Sequence, residues 1–182
     1  MSTVVKHRLI GFVIAAGIFA LDQAIKWFVV AEMHLKQQGD QVELLPIFAL
    51  TRTHNYGVSL GMFTARSPEM QLALIGLTAA IALGVAVWIM RERKLGDILA
   101  LSLVLGGALG NILDRLRHSY VLDYADLHFG NFRPFLIFNV ADAAITIGVL
   151  IVLARSLFMR EKPGHTQDPP ETEPATDAAE TH

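Results

Sequence analysis

The most informative residue for chemistry is a carboxylate inside a long apolar stretch. Asp142 follows Asn139 by about one helical turn, in a segment that is otherwise almost free of polar residues. Ionisable groups in an apolar medium cost about 2.5–3.5 kcal/mol on insertion scales, so they normally face a cavity or a partner. Asp142 has no cation within one turn of its own helix. The sequence therefore predicts a functional role for Asp142, with proton transfer as its chemistry.

Two other apolar stretches carry polar side chains near one end. Asp22 and Lys26 are four residues apart and would share one face of a helix. Another stretch ends in three polar residues, Asn111, Asp114 and Arg115. If each stretch is a helix, three helices bring carboxylates, amides and cations to the same side of the protein. Small residues at positions 106–110 would allow these helices to pack closely.

Simpler interpretations of these residues stay open. Asp22 and Lys26 could form only an intrahelical ion pair, with Lys26 snorkelling to the surface. Asn139 could serve only to join two helices by a hydrogen bond. The basic residues 6–8, followed by 13 apolar residues, also resemble a cleavable signal peptide, although apolarity resumes after Lys26 and favours a retained span.

Ser59 is the centre of a second, competing pattern. The stretch Gly57-Val58-Ser59-Leu60-Gly61 matches the G-x-S-x-G nucleophile motif, which has force only on the strand-to-helix elbow of a hydrolase fold. This chain is too short and too apolar for that fold, which leaves a membrane serine protease using Ser59 with His118 or His128 as the alternative. No H-x-x-x-H or H-E-x-x-H spacing occurs, so no metal site is predicted.

The composition indicates that these residues belong to a membrane protein. Of 182 residues, 53% are apolar and 18% are charged, an apolar excess over soluble domains. The absence of cysteine excludes disulfides and a thiol nucleophile. The sequence has no long basic run, so nothing in its charge indicates nucleic-acid binding. Four segments come near the roughly 20 apolar residues that a membrane span needs. The predicted spans are residues 9–31, 70–90, 95–113 and 134–154.

We expect an all-α integral membrane protein with four transmembrane helices, forming one domain over residues 1–160, and a small extracytoplasmic β element. Three bases in the connector 91–94 place it and both termini in the cytoplasm by the positive-inside rule. Alternation in residues 48–53, and Gly-Asn between aromatic residues in 128–133, predict the β element. Residues 161–182, with four prolines and six acids, predict a disordered acidic cytoplasmic tail.

Five motifs occur in order along the predicted spans and connectors. They are Asp22-Gln23-Ala24-Ile25-Lys26, Asn55-Tyr56-Gly57, Gly106-Gly107-Ala108-Leu109-Gly110-Asn111-Ile112-Leu113-Asp114-Arg115, Val121-Leu122-Asp123-Tyr124, and Phe138-Asn139-Val140-Ala141-Asp142-Ala143-Ala144-Ile145. Together they resemble the lipoprotein signal peptidase family, the bacterial signal peptidase II, over about residues 8–158. Ser59 and Leu60 depart from the family pattern, which bears only on local packing.

The resemblance implies an aspartyl endopeptidase that removes the signal peptide from a prolipoprotein, cutting just before a diacylglyceryl-modified cysteine. It implies Asp123 and Asp142 as the catalytic pair. The residues alone do not distinguish Asp123 from the alternatives Asp114 and Asp126. The resemblance further implies supporting or substrate-binding roles for Asp22, Lys26, Asn55, Gly57, Asn111, Arg115 and Asn139. No metal and no cofactor are expected.

The partners expected from this resemblance are lipidated prolipoproteins and membrane lipid. Nucleic acid is not an expected partner. The protein is compatible with a monomeric state. The expected location is the bacterial inner membrane, with the active site facing the periplasm or outer side. An alternative from another class is a proton-coupled carrier that uses Asp142 as its proton site. Carriers more often show paired repeats, and the sequence has no evident internal repeat.

Overall fold

The computed structural model describes residues 2–57, 67–130 and 132–158. Within these ranges the chain forms seven elements. In chain order they are α1 (Thr3–Ala31), β1 (Gln41–Leu45), β2 (Phe48–Asn55), α2 (Pro68–Arg91), α3 (Leu95–His118), β3 (Val121–Leu127) and α4 (Val140–Phe158). Ser59 and the predicted tail, residues 161–182, lie outside the described residues.

All four helices are long and apolar enough to cross a membrane, which confirms the predicted fold class. The start of α2 shows how the sequence sets a helix boundary: the Ser67 hydroxyl accepts a hydrogen bond from the Met70 amide at 3.3 Å, and Pro68 follows the cap. Leu72 and Leu83 on α2 are 68% and 66% exposed. Apolar side chains exposed to this extent suit a hydrocarbon environment better than water.

Helix α3 lies at the centre of the bundle and packs against α1, α2 and α4. Half of the residues in its most apolar stretch are buried, against 11% in α1 and 17% in α2 and α4. A Cβ atom added at Gly106 would lie 2.5 Å from the Ala15 carbonyl oxygen, and one at Gly110 would lie 2.5 Å from Asp22 Oδ2. Glycine at these two positions therefore allows α1 to approach α3 closely.

The strands form one antiparallel sheet in the order β1-β2-β3. Strand β2 confirms the strand predicted at residues 48–53, and Phe129 pairs with Phe132 across the predicted turn. The sequence did not predict β1 or β3. In the β2–β3 pair Thr53 opposes Asp123, so β3 brings Asp123 beside the end of β2.

The fourth helix begins at Val140, six residues after the predicted start of the fourth span. Phe138 instead pairs with Ala125, with N–O distances of 2.8 and 3.1 Å in the two directions. Asp142 therefore lies in the first turn of α4, and not eight residues into a helix that begins at the predicted Pro134. The apolar residues just before Val140 are not helical, because Phe138 pairs with β3.

An ion pair lies at the opposite end of the bundle. Asp97 Oδ1 accepts a hydrogen bond from Arg155 Nε at 2.6 Å. This ion pair joins the start of α3 to the last turns of α4. Arg8 Nε donates to the Glu92 carbonyl oxygen at 3.1 Å, so α1 is tied to the α2–α3 connector at the same end.

Candidate active site

Asn139 caps α4 and bonds reciprocally with Asp142. The Asp142 amide donates to Asn139 Oδ1 at 2.9 Å, and the Asn139 amide donates to Asp142 Oδ2 at 3.3 Å. This pattern is a capping box, which satisfies otherwise unpaired amides of the first helical turn. Asn139 is fully buried. The backbone start of α4 therefore fixes the orientation of the Asp142 carboxylate.

The same asparagine contacts the second carboxylate. Asn139 Nδ2 donates to Asp123 Oδ1 at 2.6 Å, and Asn55 Nδ2 donates to Asp123 Oδ2 at 3.1 Å. Asp123 is only 2% exposed. Burial, followed by the negative charge of Asp142, raises the pKa of Asp123 to about 8. One residue, Asn139, thus bonds to both carboxyl groups, to Asp123 through its side chain and to Asp142 through its backbone amide, and Asp123 is mostly protonated at neutral pH.

Asn111 connects α3 to this pair. Its Nδ2 donates to Asp142 Oδ1 at 2.8 Å, and its Oδ1 accepts from Asn139 Nδ2 at 3.3 Å and from Lys26 Nζ at 3.4 Å. The side-chain amide is therefore oriented from both sides, since its oxygen faces two donors and its nitrogen faces the carboxylate. Helix α3 therefore contacts one oxygen of Asp142, Oδ1, while the cap of α4 contacts the other, Oδ2.

Lys26 forms a buried ion cluster beneath the carboxylate pair. Lys26 Nζ lies 2.8 Å from Asp22 Oδ2 and 2.8 Å from Asp114 Oδ2. Asp22 also accepts from the Ala141 amide at 3.0 Å. Because Lys26 is only 5% exposed, it does not snorkel, and the intrahelical pair is one part of a cluster that joins α1, α3 and α4.

Arg115 holds the residues that follow β2. Its Nη2 donates to the Gly57 carbonyl oxygen at 3.0 Å, and the Gly57 amide donates to Asn55 Oδ1 at 3.0 Å. Among the described residues, Arg115 Nε is buried without a hydrogen-bond partner. The guanidinium thus fixes Gly57 and leaves one inward-facing donor in the site.

The structure brings the sequence-predicted residues into one connected network, which stands apart from Asp126. Asp126 accepts from Arg133 Nε at 2.9 Å and from Thr51 Oγ1 at 3.1 Å. The hydrogen bonds from Arg133 are the main reason that the pKa of Asp126 lies below its usual value. Of the three acids that the residues left open as the second carboxylate, Asp123 is the one bonded to Asn139.

Two members of the network were absent from the predicted site. Asp114 accepts from the Leu122 amide at 3.1 Å and thereby ties α3 to β3. Gln23 Nε2 donates to Asp114 Oδ1 at 3.0 Å and to Asp22 Oδ2 at 3.2 Å. Two sequence signals could have found Gln23: it is an uncharged polar residue in an apolar stretch, and it lies in the first of the five motifs.

The described part of the chain contains no group of three or more His, Asp or Glu residues that could hold a metal ion. His54 and His118 lie near Tyr120 in an aromatic cluster, and His128 lies 3.9 Å from Asp126. The paired carboxyl groups of the site can transfer protons, assisted by amide and guanidinium donors.

Four apolar helices with a polar carboxylate cluster at one end define a multi-pass membrane protein with a candidate hydrolytic site. Comparison with known proteins is more specific. The family model described as Signal peptidase (SPase) II matches residues 14–158. The chain belongs to the signal peptidase II family, and it is accordingly a peptidase.

Individual relatives agree with this assignment. The chain is 50% identical over 160 residues to the lipoprotein signal peptidase of Sphingopyxis alaskensis, covering 88% of this chain and 92% of that protein. It is also 50% identical over 155 residues to the lipoprotein signal peptidase of Rhizorhabdus wittichii, covering 85% and 90%. A solved bacterial membrane enzyme, determined in meso at 2.3 Å resolution, is similar with a TM-score of 0.70 at 27% identity, covering 84% and 93%.

Proposed function

We propose that this peptidase removes the signal peptide from diacylglyceryl-modified prolipoproteins by aspartyl catalysis, cutting just before the lipidated cysteine. The observation that carries the proposal is the shared contact of Asn139 with Asp123 and Asp142. Relatives at 50% identity are lipoprotein signal peptidases, which supports the substrate class. The chemistry requires no metal, because the paired carboxyl groups can activate water themselves.

The two carboxyl groups take different roles in this mechanism. Asp123, whose pKa of about 8 keeps it protonated at neutral pH, polarises the scissile carbonyl and then protonates the leaving amine. Asp142 is the ionised partner and takes a proton from the attacking water. Its place in the first turn of α4 suits this role, because the helix N-terminus stabilises negative charge.

The neighbouring donors hold the reacting groups in place. Asn111 and the Asn139 amide each donate to one oxygen of Asp142, which leaves the carboxylate with further lone pairs for water. Arg115 Nε, buried without a partner in the described part of the chain, is the donor we assign to the substrate backbone. Asp22 and Lys26 support the start of α4 through the Ala141 amide and the ion cluster.

The position of the site suits a lipid-bearing substrate. The carboxyl groups lie at the helix ends next to the sheet, where acyl chains can remain in lipid while the peptide bond meets water. We place this face on the periplasmic or outer side of the bacterial inner membrane, with both termini in the cytoplasm. The bases of the connector 91–94 and of Arg8 and Arg155 lie at the opposite end of the bundle, as the positive-inside rule requires.

A cleavage assay with purified enzyme tests the function directly. The substrates are one prolipoprotein precursor in its diacylglyceryl-modified form and the same precursor without the lipid. We expect cleavage of the lipidated form before the modified cysteine and little cleavage of the other, with D142N as the inactive control. Equal cleavage of both precursors would contradict the lipid requirement, and full activity of D142N would contradict the mechanism.

A further inference from the structure

Arg52 connects three segments on the side of β2 away from the carboxyl groups. Its Nη1 donates to the Leu35 carbonyl oxygen at 2.8 Å, its Nη2 to the Tyr120 hydroxyl at 3.0 Å, and its Nε to His54 Nε2 at 3.1 Å. Leu35 follows α1, and Tyr120 lies in the turn between α3 and β3. One guanidinium therefore uses three separate donors to fix β2 between these segments.

His54 is held in one protonation state by this contact. A guanidinium can only donate, so His54 Nε2 must accept and the ring must be neutral, with its proton on Nδ1. The His54 ring stacks on Tyr120 with ring centroids 3.9 Å apart and meets Tyr56 edge-on at 6.3 Å. Protonation of His54 would remove the acceptor and place a second positive charge beside Arg52.

The residue after His54 belongs to the carboxylate network. Successive side chains of a strand point to opposite faces, and Asn55 donates to Asp123 Oδ2 at 3.1 Å while its Oδ1 accepts from the Gly57 amide. Gly57 in turn accepts from Arg115. The end of β2 therefore joins the Arg52 contacts on one face to Asp123 and Arg115 on the other.

We propose that Arg52 and neutral His54 are positioning residues for catalysis, holding the end of β2 so that Asn55 and Gly57 keep Asp123 and Arg115 in their reactive arrangement. This inference rests on the proposed aspartyl mechanism. Protonation of His54 removes the acceptor of Arg52 Nε within β2, so acidification loosens the end of this strand and with it the positions of Asn55 and Gly57. The fall of kcat at acid pH then includes a titration step that is due to His54.

The groups that face His54 determine the pH range of that step. They are Arg52 on its own strand, Tyr56 just beyond the strand, and His118 and Tyr120 from the end of α3 and the turn after it. Burial, then the positive charge of Arg52 and then His118, lower the pKa of His54 from its usual value near 6.5. The loss of kcat caused by protonation of His54 therefore occurs below pH 6.5, as the pH falls.

Kinetics of three variants test this inference, with kcat and KM measured from pH 5 to 9 on a lipidated precursor. R52M should lower kcat about tenfold or more with little change in KM, because small displacements of catalytic groups cost up to about 100-fold. H54Q cannot be protonated but can still accept from Arg52. The loss of kcat between pH 7.5 and pH 5 should therefore be smaller in H54Q than in the wild type, because the His54 step is absent from its acid limb. R117M, which removes an exposed arginine near the same end of α3, should match wild type throughout.

Nuclear magnetic resonance gives a readout that does not depend on cleavage. In nitrogen-15 histidine spectra, His54 should show the Nδ1–H tautomer, and R52M should raise its titration midpoint. In carbon-13 spectra, the Asp123 carboxyl should show an inflection at the His54 midpoint that H54Q removes. If R52M does not accumulate as folded protein, H54Q alone decides the question by both readouts.

The outcomes separate this inference from the proposed function. A wild-type enzyme that fails to cleave the precursor contradicts the proposed function, and the Asp123 inflection then decides whether His54 positions that carboxyl group. Identical acid limbs for wild type and H54Q, with no His54 inflection at Asp123, would overturn the inference while leaving the aspartyl mechanism intact.

Discussion

Asn139 donates from Nδ2 to Asp123 Oδ1 at 2.6 Å, although the two residues belong to different elements and are separated by 16 positions in the chain. The same residue caps the helix that carries Asp142. A single buried residue therefore sets the position of one carboxyl group relative to the other, through its side chain on Asp123 and its backbone amide on Asp142. Amide side chains suit this role because they donate and accept at once without carrying charge.

The first prediction concerns the two carboxyl groups. D123N and D142N should each abolish cleavage while the protein remains folded and inserted, because an amide keeps the shape of the side chain but cannot exchange the proton. The measurement is turnover of the purified enzyme on a lipidated precursor, normalised to the amount of folded protein. Thermal unfolding in detergent gives the control for folding.

Ser59 provides the matched control for this experiment. S59A should retain activity, because the proposed mechanism uses no hydroxyl nucleophile. Loss of turnover in S59A together with near-normal turnover in D123N or D142N would reject the aspartyl assignment and favour the serine alternative.

The second prediction separates the capping role of Asn139 from its contact with Asp123. Serine is as good an N-cap as asparagine, whereas alanine costs about 0.5–2 kcal/mol of stability. N139S should therefore unfold at nearly the wild-type temperature, and N139A at a lower one. Both should lose most of their turnover, because neither side chain carries the amide that donates to Asp123.

Thermal unfolding and turnover of the two variants are compared side by side. A fully active N139S would show that the helix cap is all that Asn139 contributes.

The third prediction is an alkaline limit to activity. Asp123 acts in its protonated form, so turnover should fall as the pH rises through its pKa of about 8. The hydrogen bond from Asn55 favours the ionised form and lowers this pKa. In N55A the alkaline limb should therefore move to higher pH, whatever the loss in maximal rate.

A pH–rate profile of kcat for wild type and N55A provides the measurement. A shift of the alkaline limb to lower pH in N55A would contradict the assignment of Asp123 as the protonated acid.

The fourth prediction concerns the buried cation. Lys26 lies 2.8 Å from a carboxylate oxygen of both Asp22 and Asp114, so K26M would leave buried charges without a partner. Removing one member of a buried pair costs about 3–5 kcal/mol of folding free energy. The double variant K26M/D114N should recover part of this loss, because it removes one of the uncompensated charges.

Unfolding in detergent of K26M, the double variant and K36M, which alters an exposed lysine, gives the comparison. Equal stability of K26M and K36M would show that the buried cluster contributes little to folding.

The sequence could predict the helices and the polar residues at one end of the bundle because these signals are local. Asp22 and Lys26 share a face by spacing alone, and about 20 apolar residues suffice to indicate a span. Strand β3 gave no such signal. Both of its faces are buried while it carries Asp123 and Asp126, so it lacks the alternation typical of a half-buried strand.

The start of α4 could not be predicted for a related reason. Apolar residues extend unbroken from Pro134 toward the helix, and apolarity does not distinguish an extended segment from a helix. The boundary depends on contacts between distant residues, the pairing of Phe138 with Ala125 and the cap at Asn139. These contacts place Asp142 in the first turn, next to Asp123.

The last prediction concerns orientation in the membrane. All three strands pair in one sheet, so the connection after α1 and the connection after α3 must lie on the same side. The α2–α3 connector lies at the other end, where Arg155 pairs with Asp97. Reporter fusions after Arg93 and Arg160 should therefore report the cytoplasm, and fusions after Gly39 and Gly130 the outer side. An outer-side signal after Arg93 would place the carboxyl groups in the cytoplasm, where the proposed processing of exported prolipoproteins could not occur.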